Sequence, residues 1–569
     1  MNREADSWFS PTSPPPAWVD EHGGPVPYYP PAPVHVQVAP PVVPDRYEPD
    51  QYLPDQYLPD PYEAEPAEEK AAYEIPETPE TGWSGAPSRR RRWIGRIVLA
   101  GVLLIQAALS LSLGNTADFA EAASLVLGRQ ELDHLLNGLA VTTDLVHGYP
   151  GSPSLYPVLA GAAEKVYGLT GARLLSLLFA LAATALVYSL TRRLFNERVA
   201  ICGAGAYAVL QSTVVVGYYV SPDALAILLV AFAVWIVVYT NRAPVAAVLA
   251  AAPVAALAAA VEHAAVLVLP TLLLLAVLTS WPLPTKGLLR GLLLGAGTLG
   301  LLTVTGALSS IRNGTFARGQ GTESALAILT TSAQWSGLFL LVACGGAVAY
   351  LRRARMYEVV DAKIVDSAPL RRAALGLTLC ATAVLVPLLQ AQLHTSAAMF
   401  RHIGLGLLFA APLAGVGITR MVGAHFRQPQ LGILVWVLML ALGISQSTLR
   451  FESWPDSTPL VGVLRAHVSA KGHYLSEVEG VPQYYLRDVT APTQWTSVRA
   501  LGAAGTAAAV KKGYFGLIVL DSGPTATEDK AVTTALTTAI RSSARYRLIA
   551  QLPYHVSGGS GTYRVYVKQ

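Results

Sequence analysis

Arg89-Arg-Arg-Arg-Trp-Ile-Gly-Arg-Ile-Val-Leu-Ala-Gly-Val-Leu-Leu-Ile-Gln-Ala-Ala-Leu-Ser-Leu-Ser-Leu-Gly-Asn-Thr-Ala-Asp118 is the stretch that decides the class of fold. A basic cluster abuts an apolar run over 93–113, long enough to cross a hydrocarbon core of about 30 Å as a helix. Basic residues stay on the cytoplasmic side, so the cluster puts the N-terminus inside and the Asp118 end outside. It also suits contact with anionic lipid. The run is too long and starts too far from Met1 for a cleaved signal peptide, so it reads as a retained first helix.

The pattern repeats outward from there. The chain is 52% hydrophobic and only 14% charged, with a mean hydropathy of +0.41. A soluble domain carries roughly 25% charged residues, and most of the charge here lies in the two terminal regions. Apolar stretches predict further helices at 172–190, 199–217, 222–240, 244–260, 263–281, 288–309, 334–351, 373–391, 403–420 and 431–448, about eleven spans with the first. An odd count places the C-terminal region outside. Loop charge agrees: Arg192, Arg193, Arg198, Arg242, Lys286, Arg352, Arg353, Arg355, Lys363, Arg371, Arg372 and Arg427 fall in loops read as inside. Loops read as outside hold only Arg129, Lys165, Arg312, Arg318 and Arg401 before the C-terminal region. Reading 244–260 and 263–281 as two helices matters, because one continuous helix would invert the later parity.

Residues 1–92 are rich in proline, tyrosine and acid, with a degenerate repeat that runs Tyr47-Glu-Pro-Asp-Gln, Tyr52-Leu-Pro-Asp-Gln, Tyr57-Leu-Pro-Asp-Pro. Proline at that density blocks helix and sheet, and no apolar period exists to build a core, so a disordered cytoplasmic tail is expected. The long outer loop 114–171 holds a helix-like pattern over 118–137, suited to lying on the membrane surface, and a turn-rich stretch at 147–157. Residues 449–569 read as a small extracytoplasmic α/β domain, with strands near 475–478, 516–520 and 563–567 and a helix at 527–542. Cys202, Cys344 and Cys380 all lie in or beside apolar segments, so no disulfide is expected in that domain.

Asp118 follows the first span by a few residues, at the edge where hydrocarbon gives way to water. Deeper burial of a charge costs several kcal/mol, so this is as near the membrane as an ionised acid sits cheaply. A general base acting beside a lipid-borne leaving group belongs there. Asp118 equally suits an N-cap of the surface helix. Glu121 lies on the same face if the segment is helical; assistance to the base, metal holding or mere solvation are all open to it. A leaving phosphate needs cations, and arginine binds phosphate in a charged fork. Arg401 with His402, at the outer start of a span, leads the candidates, with Arg312, Arg318, His394 and Lys165 behind; an interfacial anchor is the bland alternative for Arg401. Glu262 and His263 sit between two apolar runs and mark a break at the outer surface. Asp223 opens a helix in Ser221-Pro-Asp, a capping signature.

The order of these segments carries a resemblance. Asp118 with Glu121 precedes His147-Gly-Tyr-Pro and Pro153-Ser-Leu-Tyr-Pro157, then Gly171-Ala-Arg-Leu-Leu-Ser176, Tyr188-Ser-Leu-Thr-Arg-Arg-Leu-Phe195 and Tyr218-Tyr-Val-Ser-Pro-Asp-Ala-Leu225. This resembles the GT-C class of polytopic glycosyltransferases, in the bacterial branch related to protein O-mannosyltransferases and lipid A aminoarabinose transferases. It covers residues 93–240 and extends more loosely to the C-terminal region, through Gln483-Tyr-Tyr-Leu486 and Gln494-Trp-Thr-Ser497. The resemblance implies transfer of a sugar from a polyprenyl-phosphate donor to a glycan, lipid or protein acceptor on the outer face of the plasma membrane, with inversion at the anomeric carbon. It gives Asp118 the place of the catalytic acid, with Glu121 as its companion, and gives Asp223 a role in positioning donor or acceptor. His147 and Tyr149 join Arg401, His402, His263, Arg312 and Arg318 as expected substrate or phosphate contacts. The chain departs from the family twice: Ala117-Asp118 stands where many members have a pair of acids or Gly-Asp, and His263 where many place a lysine.

No phosphate-cradling Gly-x-x-x-x-Gly-Lys loop, no paired Cys or His at metal spacing and no Gly-x-Ser-x-Gly turn occurs in the sequence. A donor already carrying lipid phosphate needs no nucleotide site, and no nucleic-acid partner is expected. Whether a divalent metal takes part is open. A transporter or flippase would show polar residues at mid-membrane depth, whereas the polar candidates here gather at the outer ends. A non-catalytic envelope scaffold would have no need of an acid at 118. High Ala, Gly and Arg content points to a GC-rich bacterial genome. The sugar, the acceptor and the oligomeric state are not named by the sequence.

Overall fold

The computed structural model describes residues 89–141, 149, 151–152, 154–280, 284–315, 321–352, 369–396, 398–423, 429–498, 502–523 and 530–569. Of the tail expected to be disordered over 1–92, residues 1–88 lie outside the described residues, while residues 89–92 form the first turn of the first helix. Helix α1 (Arg89–Leu111) is followed by α2 (Phe119–Asn137) and α3 (Tyr156–Leu194). Then come α4 (Glu197–Ala208), α5 (Gln211–Val216) and α6 (Asp223–Tyr239). A 3-10 turn Val245–Ala250 leads into α7 (Ala251–Val261), and another, His263–Val268, into α8 (Leu269–Leu278). The bundle closes with α9 (Pro284–Val304), α10 (Ala307–Thr315), α11 (Ala325–Leu351), α12 (Pro369–Gln392), α13 (Met399–Val422) and α14 (Pro429–Phe451).

Helices cover every expected span. Among the described residues, seven are long and apolar enough to cross a membrane by themselves, and three shorter apolar helices span 223–239, 245–261 and 263–278. The expected span at 199–217 is broken into α4 and α5 at Leu210, whose extended backbone (φ −67°, ψ 142°) restarts the helix. α3 is longer than its apolar run suggests, because Tyr167 and Gly168 leave helical geometry; Gly168 sits at φ 62°, where a side chain would be strained. The part before this kink belongs to the long loop, and the part after it is the span.

The pair α7 and α8 turns back on itself. Along α9, Gly287 and Gly291 lie against Val277, Gly297 lies against Leu249 and Ala252, and Thr305 shares a cavity with Ala260. Moving one way along α9 thus descends α8 but ascends α7, so the two are antiparallel. The turn is Glu262, in extended backbone (φ −141°, ψ 115°).

α13 is the axis of the bundle: almost all of its side chains are buried, and α4, α11, α12 and α14 pack around it with α3, α6, α7 and α8 in one continuous apolar core. Small residues let these backbones meet; a Cβ on Gly415 would lie 2.3 Å from the Val199 carbonyl oxygen, and one on Gly417 2.3 Å from that of Val342. Many outward leucines, such as Leu104, Leu292 and Leu341, stay exposed in the isolated chain, as a lipid-facing surface requires.

The helix expected at 118–137 is α2. It crosses the first part of α3 in backbone contact, since a Cβ on Gly128 would overlap the Pro157 carbonyl oxygen at 1.9 Å. After α14, α15 (Thr458–Arg465) leads to β1 (Tyr474–Ser476), α16 (Gly480–Tyr485), β2 (Trp495–Ser497) and α17 (Gly502–Lys512). Then follow β3 (Leu517–Asp521), α18 (Lys530–Ser543), β4 (Tyr546–Val556) and β5 (Gly559–Lys568). The sheet order is β2-β1-β3-β5-β4, with β1 parallel to β2 and β3, and β5 antiparallel to β3 and β4. One sheet face packs on α17 and α18, the other on α15. β2 and β4 were not expected: β2 is three residues long, and β4 alternates too irregularly, with a register shift between Leu548 and Ala550.

Candidate active site

The site lies where one set of helix ends meets the sheet domain. Asn115, just past α1, donates through Nδ2 to the Phe451 and Trp454 carbonyls at 2.7 and 2.9 Å. Trp454 Nε1 returns a bond to the Thr116 carbonyl at 2.9 Å, and Tyr485 of α16 receives the Ala117 N–H at 2.8 Å. The four residues before α2 are thus held from three sides.

Asp118 is the N-cap of α2 and is partly exposed. Its Oδ2 accepts a hydrogen bond from the Tyr219 hydroxyl. Tyr219 is 1% exposed, wedged edge-on between Phe400 and Trp454. Burial first, and then the negative charge of Asp118, hold this phenol protonated well above its usual range. It is a fixed donor to Asp118.

Glu121 was expected to stand beside Asp118 as a second acid. It is instead fully buried and saturated. Arg173 donates to it through Nε at 3.0 Å and Nη2 at 2.6 Å, and the backbone N–H groups of Val220 and Asp118 add bonds at 2.8 and 3.1 Å. A carboxylate offers about four acceptor sites, so Glu121 has none left for an acceptor proton or a metal. Its work is to fix the turn before α2 and the 217–222 connection to each other, which sets the distance from Asp118 to Tyr219. Arg173 also donates to the Asn115 carbonyl at 2.9 Å. Sequence reading quoted Arg173 and Tyr219 within motifs without assigning them; an arginine inside an apolar run was the available signal.

Beside Tyr219 lies a second polar group at the ends of α6, α7 and α13. Asp223 is 0% exposed, and among the described residues neither of its oxygens accepts a hydrogen bond. Arg401 Nη1 lies 3.6 Å from Asp223 Oδ2. His402 Nε2 lies 3.5 Å from Asp223 Oδ1 and 3.6 Å from Glu262 Oε1. The ligand-type atoms of Asp223, Glu262 and His402 all fall within 4.8 Å of one another, so these three residues have the types and spacing to hold a metal ion. Tyr149, from the long loop, feels the charges of Glu262 and Arg401, and burial raises its phenol well above the ordinary range.

Other candidates are placed elsewhere. His263 turns away from this trio and meets Ser310 Oγ at 3.4 Å, in the wall of a separate cavity. Arg312 is exposed on α10 and makes no ion pair with the cluster. His147 and Arg318 lie outside the described residues.

Two cavities are lined by other candidate residues, Asp118 in one and His263 in the other. One, of about 430 Å³, lies between Asp118 and the sheet domain, lined by Phe119, Arg450, Trp454, Glu477, Glu479 and Tyr563 among others. The second, of about 450 Å³, is walled by Leu155, Pro253, Ala256, Leu257, Ala260, Leu301 and Ala307, with His263 and Ser310 as its polar corner.

A helical bundle with a loop acid beneath a small α/β cap has the fold of the GT-C membrane glycosyltransferases. The chain superposes on the ArnT structure from Cupriavidus metallidurans bound to undecaprenyl phosphate with a TM-score of 0.51 at 12% identity, covering 83% of this chain and 98% of that one. On the apo form of the same protein the TM-score is 0.50 at 14% identity, covering 84% and 98%. In sequence, residues 161–309 match the family described as dolichyl-phosphate-mannose-protein mannosyltransferase. No curated protein matches the chain.

Proposed function

We infer that the protein transfers a sugar from a polyprenyl-phosphate donor to an acceptor hydroxyl or amine at the outer face of the plasma membrane. The observation that carries this reading is the pairing of a partly exposed Asp118, in the lining of a cavity of about 430 Å³, with a buried cation-bearing group one tyrosine away.

The acceptor enters the cavity between Asp118 and the sheet domain. Asp118 takes the proton of the attacking group, whose oxygen or nitrogen forms a bond to the anomeric carbon. The bond from that carbon to the phosphate oxygen breaks with its electron pair, inverting the centre. The Tyr219 hydroxyl holds Asp118 in the orientation that general-base transfer needs. The departing phosphate gains charge, and Arg401 is the cation that answers it. The aliphatic cavity beside His263 suits an isoprenoid tail, and the likeness to a fold solved with undecaprenyl phosphate supports that donor class. Charge supports the outward orientation. Arg192 and Arg193 end α3, Arg352 ends α11, Arg371 and Arg372 begin α12, and Arg420 ends α13, all at the helix ends away from the site.

Membranes carrying Asp118→Asn, supplied with a polyprenyl-phosphate-linked radiolabelled sugar, should show transfer reduced by about 10²-fold or more, the usual contribution of a general base. Transfer at the wild-type rate would remove Asp118 from the reaction.

A further inference from the structure

We propose that Asp223, Glu262 and His402 form a binding site for one divalent transition-metal ion, Zn²⁺ or Mn²⁺, beside the candidate base. The distances argue first. His402 Nε2 stands 3.5 and 3.6 Å from a carboxylate oxygen of Asp223 and one of Glu262. Those separations exceed a normal N–H···O bond of about 2.7–3.2 Å. They match the edges of a tetrahedral site, because ligands at about 2.0–2.2 Å from a central ion lie about 3.3–3.6 Å apart. The second observation is Asp223 itself: it is wholly buried, and neither of its oxygens accepts a hydrogen bond among the described residues. Its ion pair with Arg401 is long, at 3.6 Å; a buried carboxylate is rarely left without a close polar contact, and an ion at the centre of the three side chains supplies one.

The charge balance points the same way. With His402 neutral, as a ligand must be, Asp223, Glu262 and Arg401 sum to one negative charge. A divalent ion turns that into one positive charge, matching a single phosphodiester such as a lipid-linked sugar. Three protein ligands leave coordination room for such an oxygen. The imidazole suits zinc and the two carboxylates suit manganese. Arg401, on the other oxygen of Asp223, holds that carboxylate in line. The rival arrangement is a closed ion network in which His402 is protonated and no metal binds. The ion's presence stands on this geometry alone; its meeting the donor phosphate rests on the transferase reading.

The full-length protein in detergent, stripped with chelator and desalted, is to be titrated with Zn²⁺ and separately with Mn²⁺. Bound metal is counted by mass spectrometry, and the thermal midpoint is followed. The expected result is one ion per chain with a raised midpoint, and affinity at least about 10-fold weaker in Glu262→Gln and His402→Gln. Mn²⁺ on the unmutated protein should also show nitrogen coupling from one imidazole by pulsed electron spin resonance, a readout independent of whether variants fold. Absence of that coupling, or equal binding in folded Glu262→Gln, would establish the closed ion network instead. Neither result bears on the Asp118→Asn transfer assay, so the metal site and the transferase reading fail separately.

Discussion

Two carboxylates three residues apart have opposite environments, and on the proposed reading that difference separates their roles. Asp118 keeps a face toward the cavity and one hydrogen bond from a phenol, whereas Glu121 is enclosed and carries four donors. Glu121→Gln keeps the shape but removes the charge that Arg173 faces. Arg173 is 3% exposed, so it would be left buried without its counter-charge. Breaking one side of a buried pair typically costs about 3–5 kcal/mol. A clear fall in thermal midpoint, with lost transfer, is therefore expected from Glu121→Gln, while Asp118→Asn should lose transfer with little change in midpoint. If Glu121→Gln kept its stability and lost only transfer, the assignment of Glu121 as a positioning residue would be wrong.

At the scale of elements, the site is made of helix ends, and the connections at those ends are short. The contact of α2 with α3 depends on glycine, because Gly128 lies against the Pro157 backbone and Gly161 against the Gly128 backbone. Gly128→Val should push α2 off Pro157 and tilt Asp118 out of line with Tyr219. Overpacking of this kind costs about 1–3 kcal/mol, visible as a lower midpoint and faster proteolysis in the loop; an unchanged protein would show that α2 is held from elsewhere. The same contrast explains what was legible in the sequence. A run of about 20 apolar residues has one reading in a membrane, so every expected span corresponds to helix. Breaks were legible where charge forced them, as at Glu262; the break at Leu210 is marked only by the uncharged Gln211-Ser-Thr213, and the kink at Gly168 only by its glycine. In the cap, β3 was readable from Leu517-Ile-Val-Leu-Asp521, while three-residue β2 was not. Asp118, Asp223, Arg401 and His402 stood out as candidates because charge is scarce at the span ends. Tyr219 was passed over because an aromatic in an apolar run signals packing before chemistry.

For the whole molecule, the decisive question is which way the bundle faces. The sheet domain is fixed to the site end by several independent bonds: the Asn115 and Trp454 exchange, Tyr485 on Ala117, and Arg487 on buried Glu164 at 2.7 Å. Site and cap therefore share one side of the membrane. On the proposed reading that side is the outside, because the arginines at the far helix ends fit the positive-inside rule. Replacing Cys202, Cys344 and Cys380 and introducing a single cysteine gives a direct test, because Lys471 on the cap and Arg352 at the far end are both exposed. In intact cells a membrane-impermeant maleimide should label Lys471→Cys but not Arg352→Cys, and lysis should make Arg352→Cys reactive. The reverse pattern would put Asp118 in the cytoplasm. A donor displayed on the outer leaflet would then be out of its reach, and outer-face transfer would be excluded whatever the geometry of the acid.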